Sequence, residues 1–446
     1  MIKEADLWSR WVEKSGRGCC RSAFFWLYEL AAESSFYLLE LSLVLLFVCF
    51  VWEERQALLH PVGTMQEGIG LLKPLLPAWG MLAAYLLWDL VTVFYSPLRE
   101  GVLAKYKVVC LMLFFSALIL WYARTERRKR LRLLLQVLVA AGLTAAVLSL
   151  VNFTFPVLYP VIYGRRLSLR LDYNVFSTVV LMGLIAGSYL LGRERPLAPR
   201  CFFLYLICAP AIILSSSRRN AIFLLCFSAW QFGGGLWRAR KGERRSFVGG
   251  WLAIVLSVTV LTTLLQVYLD WRYERLLQED VPMVSSAQGS ALERYEQIGQ
   301  EGGSSKRMLI WSVALREYHG YDGGEKLFGK GFGYDVLLYR LSDDPALAES
   351  YEPQSRQLLC AHSFLLADLL NGGLVQAVLG VGVWLFIGAF LLRSLLLKRR
   401  GAMFFCIAPG ITFINNAISN RYGFLYDKYF WLLLTLLTVW AGLRRE

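Results

Sequence analysis

Only three histidines occur among the 446 residues. One of them, His362, stands in "CAHSFLLADLLNGGLVQAVLG" (360–380), where a polar segment gives way to an apolar helix. Imidazole is the side chain best matched to taking up a proton near neutral pH. A general base is therefore one reading of His362; an interfacial histidine at a helix start is the other. Cys360 is two residues away, and helical positions i and i+2 point apart, which argues against a Cys/His nucleophilic pair. Asp368 follows by six residues, about 240° around a continuous helix, and is a poor orienter of the ring. Any partner of His362 is expected from elsewhere in the chain.

A second chemical signal is "SSSRRN" (215–220), which lies inside "CFFLYLICAPAIILSSSRRNAIFLLCFSAWQFGGGLW" (201–237). This stretch is flanked by two basic clusters and must cross a bilayer twice. At about 1.5 Å per residue its helix reaches roughly 55 Å, whereas two crossings of the hydrocarbon need about 60 Å. The turn, with Arg218 and Arg219, is therefore expected level with the outer membrane surface or sunk below it. Charge at that depth is costly and is kept where it faces water, a partner or an anion. A guanidinium fork grips phosphate oxygens two at a time; the alternative is that both arginines snorkel to lipid headgroups.

The elements that position these groups follow from composition. The chain is 57% hydrophobic, and its apolar residues come in long runs, which reads as an all-α polytopic membrane protein and excludes a water-soluble core. Eleven spans are expected, near 36–52, 76–95, 107–123, 132–154, 174–192, 201–217, 221–237, 249–269, 372–396, 402–420 and 427–443. A twelfth, near "FFWLYELAAESS" (24–35), would reverse the side of the N-terminus, and the five acidic and five basic residues of 1–35 do not decide between the two. The net charge of +14 does not imply nucleic acid, because the basic residues cluster between spans: "RTERRKRLR" (124–132), "GRERPLAPR" (192–200), "RARKGERR" (238–245), "LKRR" (397–400) and the C-terminal "LRRE". Two spans separate each consecutive pair of the first four, so the positive-inside rule places all of them in the cytoplasm. Segment 270–361, with 15 acidic against 10 basic residues, falls outside by the same parity. The expected organisation is an N-terminal transmembrane bundle (1–269), an extracytoplasmic loop domain (270–361) and C-terminal transmembrane helices (362–446).

Within that loop, "MLIWSVALREY" (308–318) has the period of a short amphipathic helix with Met308, Trp311, Leu315 and Tyr318 on one side. "GKGFG" (329–333) reads as a plain turn, since no strand–turn–helix unit surrounds it. "SDDP" (342–345) reads as a solvated turn rather than a metal site. The nine cysteines include no C-x-x-C pair and read as small apolar fillers, without a disulfide framework or zinc site. Glu40 and Asp89 are isolated acids within spans, read as packing or cavity residues. No cleavable signal peptide is apparent.

"SSSRRNAIFLL" (215–225), "KRMLIWSVALREY…LFGKGFG" (306–333) and "AHSFLLADLLNGGL" (361–374), in that order, resemble the O-antigen ligase and O-antigen polymerase family of bacterial envelope enzymes. "VTVFYSPLREGVLAKYKVVCLMLFF" (91–115) is similar to the family's early outer loop, and "LRLDYNVFSTVVLMGLIAGSYL" (169–190) to its middle span. The likeness runs from about residue 75 onward. It implies a GT-C-like membrane glycosyltransferase that moves a glycan from undecaprenyl diphosphate to a sugar hydroxyl on the outer face of the bacterial cytoplasmic membrane. The acceptor is a lipid-linked core sugar in a ligase, or another carrier-linked chain in a polymerase. The family's arginine motifs fall on Arg218 and Arg307, and its histidine on His362. Arg219, with Arg165, Arg166 or Arg170 of "YGRRLSLRLDYN" (163–174), would help to hold the diphosphate. The resemblance implies no metal and no cofactor, because arginines do the electrostatic work of a divalent cation. Where the family has asparagine after its histidine this chain has Ser363, and where it often has glutamate this chain has Asn371. The rival reading is a transporter or flippase of the same lipid-linked glycan, which tends to show inverted repeats and interrupted helices; no convincing internal repeat is seen. A membrane scaffold is the third.

Overall fold

The computed structural model describes residue 48 and residues 70–98, 102–156, 164–169, 173–191, 199–239, 242–279, 303–352, 356, 359–397, 401–418 and 423–443. It is 85% helix, with no strand among the described residues. In chain order the helices are α1 (Leu76–Phe94), α2 (Val102–Ala123), α3 (Arg127–Thr154), α4 (Tyr173–Leu191), α5 (Pro199–Leu214), α6 (Arg218–Arg238), α7 (Arg244–Gln278), α8 (Gly303–His319), α9 (Gly323–Phe328), α10 (Tyr334–Leu341), α11 (Pro345–Ser350), α12 (Phe364–Leu396), α13 (Ala402–Ile418) and α14 (Lys428–Ala441). Among the described residues, six helices are long and apolar enough to cross a membrane: Gly70–Phe94, Lys105–Ala123, Arg127–Thr154, Tyr173–Leu191, Arg244–Gln278 and Phe364–Leu396. Cys201–Leu214, Ala402–Ile418 and Lys428–Ala441 are apolar but shorter. Each expected span but the first coincides with a helix; 36–52, apart from residue 48, lies outside the described residues, as do 24–35 and Glu40.

The chain divides into two compact units, each made of two segments: Met1–Gln56 with Lys129–Gly299, and Ala57–Arg128 with Gln300–Glu446. The described part of the expected outer loop, from 303 onward, thus shares a unit with α1, α2 and α12–α14.

In the first unit, α4 is buried along most of its length because small residues let neighbours approach. A side chain on Gly142 of α3 would meet the Cα of Gly183 at 2.9 Å, the close crossing that small residues permit in membrane helices. The α5–α6 turn is sealed: Ser215, Ser216, Ser217 and Asn220 are all 0% exposed. The Asn220 amide donates to Ser177 Oγ (2.6 Å) and Thr178 Oγ1 (3.0 Å) at the start of α4, and Ser217 Oγ donates to Asn174 Oδ1 (2.9 Å). α5 is 16 residues, about 24 Å, so the short reach expected of this hairpin is met by a turn buried in protein.

In the second unit, α1 carries a buried stripe at helical spacing, Ala78, Leu82, Tyr85, Asp89 and Thr92, and packs extensively on α12. α12 is interrupted at Gly373, whose φ of 64° and ψ of −160° are non-helical. A break within an apolar helix leaves carbonyls that must be satisfied, and each has a named donor. Leu370 O accepts from Lys330 N (3.0 Å), Asn371 O from Gly331 N (2.8 Å), and Gly372 O from Trp88 Nε1 (3.0 Å). The "GKGFG" segment is therefore more than a turn: it docks the loop onto the broken helix. A Cβ on Gly373 would lie 2.4 Å from the backbone of Leu327. Gly373→Ala should lower the melting temperature in detergent by several degrees, since the conformation alone costs ~1–3 kcal/mol before the collision is counted. Gly388→Ala, with nothing within 4 Å, should leave it unchanged.

The buried face of α8 is Ile310, Val313 and Ala314, packed with Tyr339, Leu347, Leu359 and Leu370. Of the four residues expected on one side, Trp311 and Tyr318 pack against this cluster, whereas Met308 and Leu315 are 61% and 43% exposed. The helix is apolar on more than one side, and its partners choose the side. Asp344 of "SDDP" caps α11, its carboxylate accepting from Ala346 N (2.9 Å) and Leu347 N (3.3 Å).

Candidate functional site

His362 immediately precedes Ser363, the N-cap of α12. It is half-buried, with a left-handed φ of 51°, a conformation that histidine enters more readily than most residues. Arg307, on the first turns of α8, is exposed and donates to Ile418 O at the end of α13 (3.4 Å). One turn further on, Trp311 Nε1 donates to Ala361 O (3.0 Å). Residues i and i+4 share a helix face, so Arg307 lies on the same face of α8 as the tryptophan that bonds to the peptide preceding His362.

The remaining arginines belong to the first unit. Arg218 and Arg219 open α6 and are half-buried beside the sealed serine turn. Arg165 pairs with Glu274 (2.6 Å) and lies 3.7 Å from Asp270, over the Tyr273 ring. Arg166 is buried over the Tyr173 ring. Arg170 lies outside the described residues.

A cavity of about 280 Å3 opens in the second unit between α1, α2, α10, α12 and the segment preceding α14. Its polar wall is a network that sequence reasoning did not assemble. Asp89 is not isolated: Lys105 Nζ donates to its Oδ1 (2.8 Å), Tyr106 to its Oδ2 (2.8 Å), and Gln376 Nε2 to Oδ1 (3.1 Å). Tyr85 donates to Asp368 Oδ1 (2.6 Å), and Gln376 Nε2 reaches the same oxygen at 3.3 Å. Asp368 thus faces the α1 network rather than the imidazole. Asp335, on the first turn of α10, is held by Asn371, whose Oδ1 accepts from Asp335 N and whose amide donates to Asp335 Oδ1, both at 2.9 Å. Asn371 stands where the resembled family often has an acid, and here it bridges to one. The available signal was the α1 stripe, on which Tyr85 and Asp89 sit four residues apart. Among the described residues no group of three or more His, Cys, Asp or Glu side chains is set to hold a metal ion.

Burial pushes the Asp335 carboxyl up to about 6, against the opposing pull of the Asn371 amide and the Lys105 ammonium. Between pH 4 and 6 the folded protein keeps a proton that the unfolded chain, with a carboxyl near 4, has released. Stability from this group is therefore full below pH ~4 and lost as pH rises through about 6, by roughly 3 kcal/mol in all. Melting curves in detergent should show this decline, and Asp335→Asn should flatten it.

No protein-family model matches the chain, and no curated protein matches it. Among the described residues the architecture is helical, and its six long apolar helices match those of a polytopic membrane protein.

Proposed function

We propose that the protein is a membrane glycosyltransferase that moves a glycan from undecaprenyl diphosphate to an acceptor sugar hydroxyl at the outer face of the bacterial cytoplasmic membrane. The observation that supports this reading is the bond from Trp311, one helical turn from Arg307, to the peptide before His362. In the proposed step His362 takes the proton of the acceptor hydroxyl as its oxygen bonds to the anomeric carbon. The bond from that carbon to the diphosphate breaks with inversion, and undecaprenyl diphosphate departs with its electron pair. Charge grows on the leaving diphosphate, where fixed cations lower the barrier most; the family resemblance assigns that work to Arg218 and Arg307, with Arg219 in ground-state binding. The decisive experiment incubates purified protein with a carrier-linked oligosaccharide and an acceptor glycan. Formation of the joined product with release of undecaprenyl diphosphate is expected, and its absence across acceptors would reject the proposal. Arg218→Lys should reduce the rate by about tenfold or more, because a point charge lacks the bidentate fork.

A second reading has its own support. α12 is broken at Gly373 within a few residues of the buried Asp368 and Gln376, the pairing of interrupted helix and intramembrane polar groups found in transporters. Reconstituted vesicles separate the two: a flippase moves the carrier-linked glycan between leaflets without forming a new glycosidic bond.

A further inference from the structure

The cavity beside the α12 break has a composition that selects its ligand. Its wall holds the buried Asp335 carboxyl beside Asp368, and Asp335 in its ionised form would repel a phosphate or carboxylate. The same wall holds Lys105 and Arg340, which would repel a cation. A neutral ligand able to both donate and accept hydrogen bonds satisfies both sets. Lys105 uses one of its three N–H donors on Asp89, leaving others for an acceptor oxygen. On the accepting side, the Asp335 carboxyl lines the cavity with one oxygen bonded to the Asn371 amide (2.9 Å), and its oxygens can accept from a ligand hydroxyl. Phe332, Leu425 and Tyr426 supply the apolar remainder. The volume, about 280 Å3, falls just short of the roughly 300–1,000 Å3 of pockets for drug-sized ligands, so it admits one ring rather than a longer oligosaccharide.

We propose that this cavity is a monosaccharide subsite, in which Asp335, Asn371 and Lys105 hold the hydroxyls of one sugar ring of the acceptor. The inference rests on the glycosyl-transfer reading and deepens it.

The test uses the full-length protein in detergent. Asp335→Asn and the cavity-filling Val336→Phe should each raise the KM for acceptor by about tenfold to a hundredfold and leave the KM for the carrier-linked donor within twofold. A general folding defect would not separate the two constants. Independently, saturation-transfer NMR with methyl glucoside, methyl galactoside and methyl N-acetylglucosaminide should show ring-proton signals with the native protein that disappear in either variant. If native protein transfers glycan but the acceptor KM is unmoved in both variants, the subsite is wrong and the transferase stands. If no transfer is detected yet the NMR signals appear and are lost in the variants, the transfer reading fails and the sugar cavity stands. Absence of NMR signal for all three glycosides, or signal equal in native and variant proteins, overturns the subsite.

Discussion

Replacement of His362 by asparagine is expected to cut glycan transfer by roughly two to four orders of magnitude, the usual contribution of a positioned general base, while the melting temperature stays unchanged. Asparagine is the informative substitution because the backbone here has φ 51°. It tolerates the left-handed region, so a lost rate cannot be blamed on a shifted helix start, whereas alanine would add backbone strain. The loss should appear in kcat, with the donor KM near its native value, since the imidazole is assigned to proton transfer and not to diphosphate binding. A rate within twofold of native in the carrier-linked assay would remove His362 from the chemistry, and the α8–α12 contact would then be packing alone.

The largest stability effect is expected at Lys105. Its ammonium is 9% exposed and pairs with Asp89, which is 1% exposed. Lys105→Met removes one partner and leaves a buried carboxylate that, among the described residues, is held by Tyr106 and Gln376. Breaking a buried pair in this way costs about 3–5 kcal/mol, whereas replacing both charges is often nearly neutral. The melting temperature should therefore fall sharply in Lys105→Met and recover most of the loss in the Asp89→Asn/Lys105→Met double variant. An additive double variant would show that the two groups do not couple.

The helices were largely readable from sequence because spans are written in long, local apolar runs: the expected start of the ninth span, 372, falls at the Gly373 interruption. His362 was legible as a rare imidazole at a helix threshold. The cavity was not, since its pairs are distant in the chain: Tyr85 and Asp368 are 283 positions apart, and Asp335 and Asn371 are 36. Even Lys105, 16 positions from Asp89, escaped notice because the charge lies at a helix start, where a lysine ordinarily meets headgroups or water. The packed side of α8 was half legible: Trp311 and Tyr318 pack against the buried cluster while Met308 and Leu315 face out, because a helix with apolar residues on more than one side does not declare which side its partners take.

The spacing of Asp89's partners also sets an order of assembly. At about 5–20 residues per second, Lys105 leaves the ribosome within a few seconds of Asp89, so the carboxylate has a counter-ion while the α1–α2 hairpin is entering the bilayer. Gln376, 287 positions downstream of Asp89, is made roughly 15 to 60 s later. Until then Tyr85 and Asp89 wait without the helix that completes their network, and a chain truncated before residue 364 should be a ready target for membrane quality-control proteases.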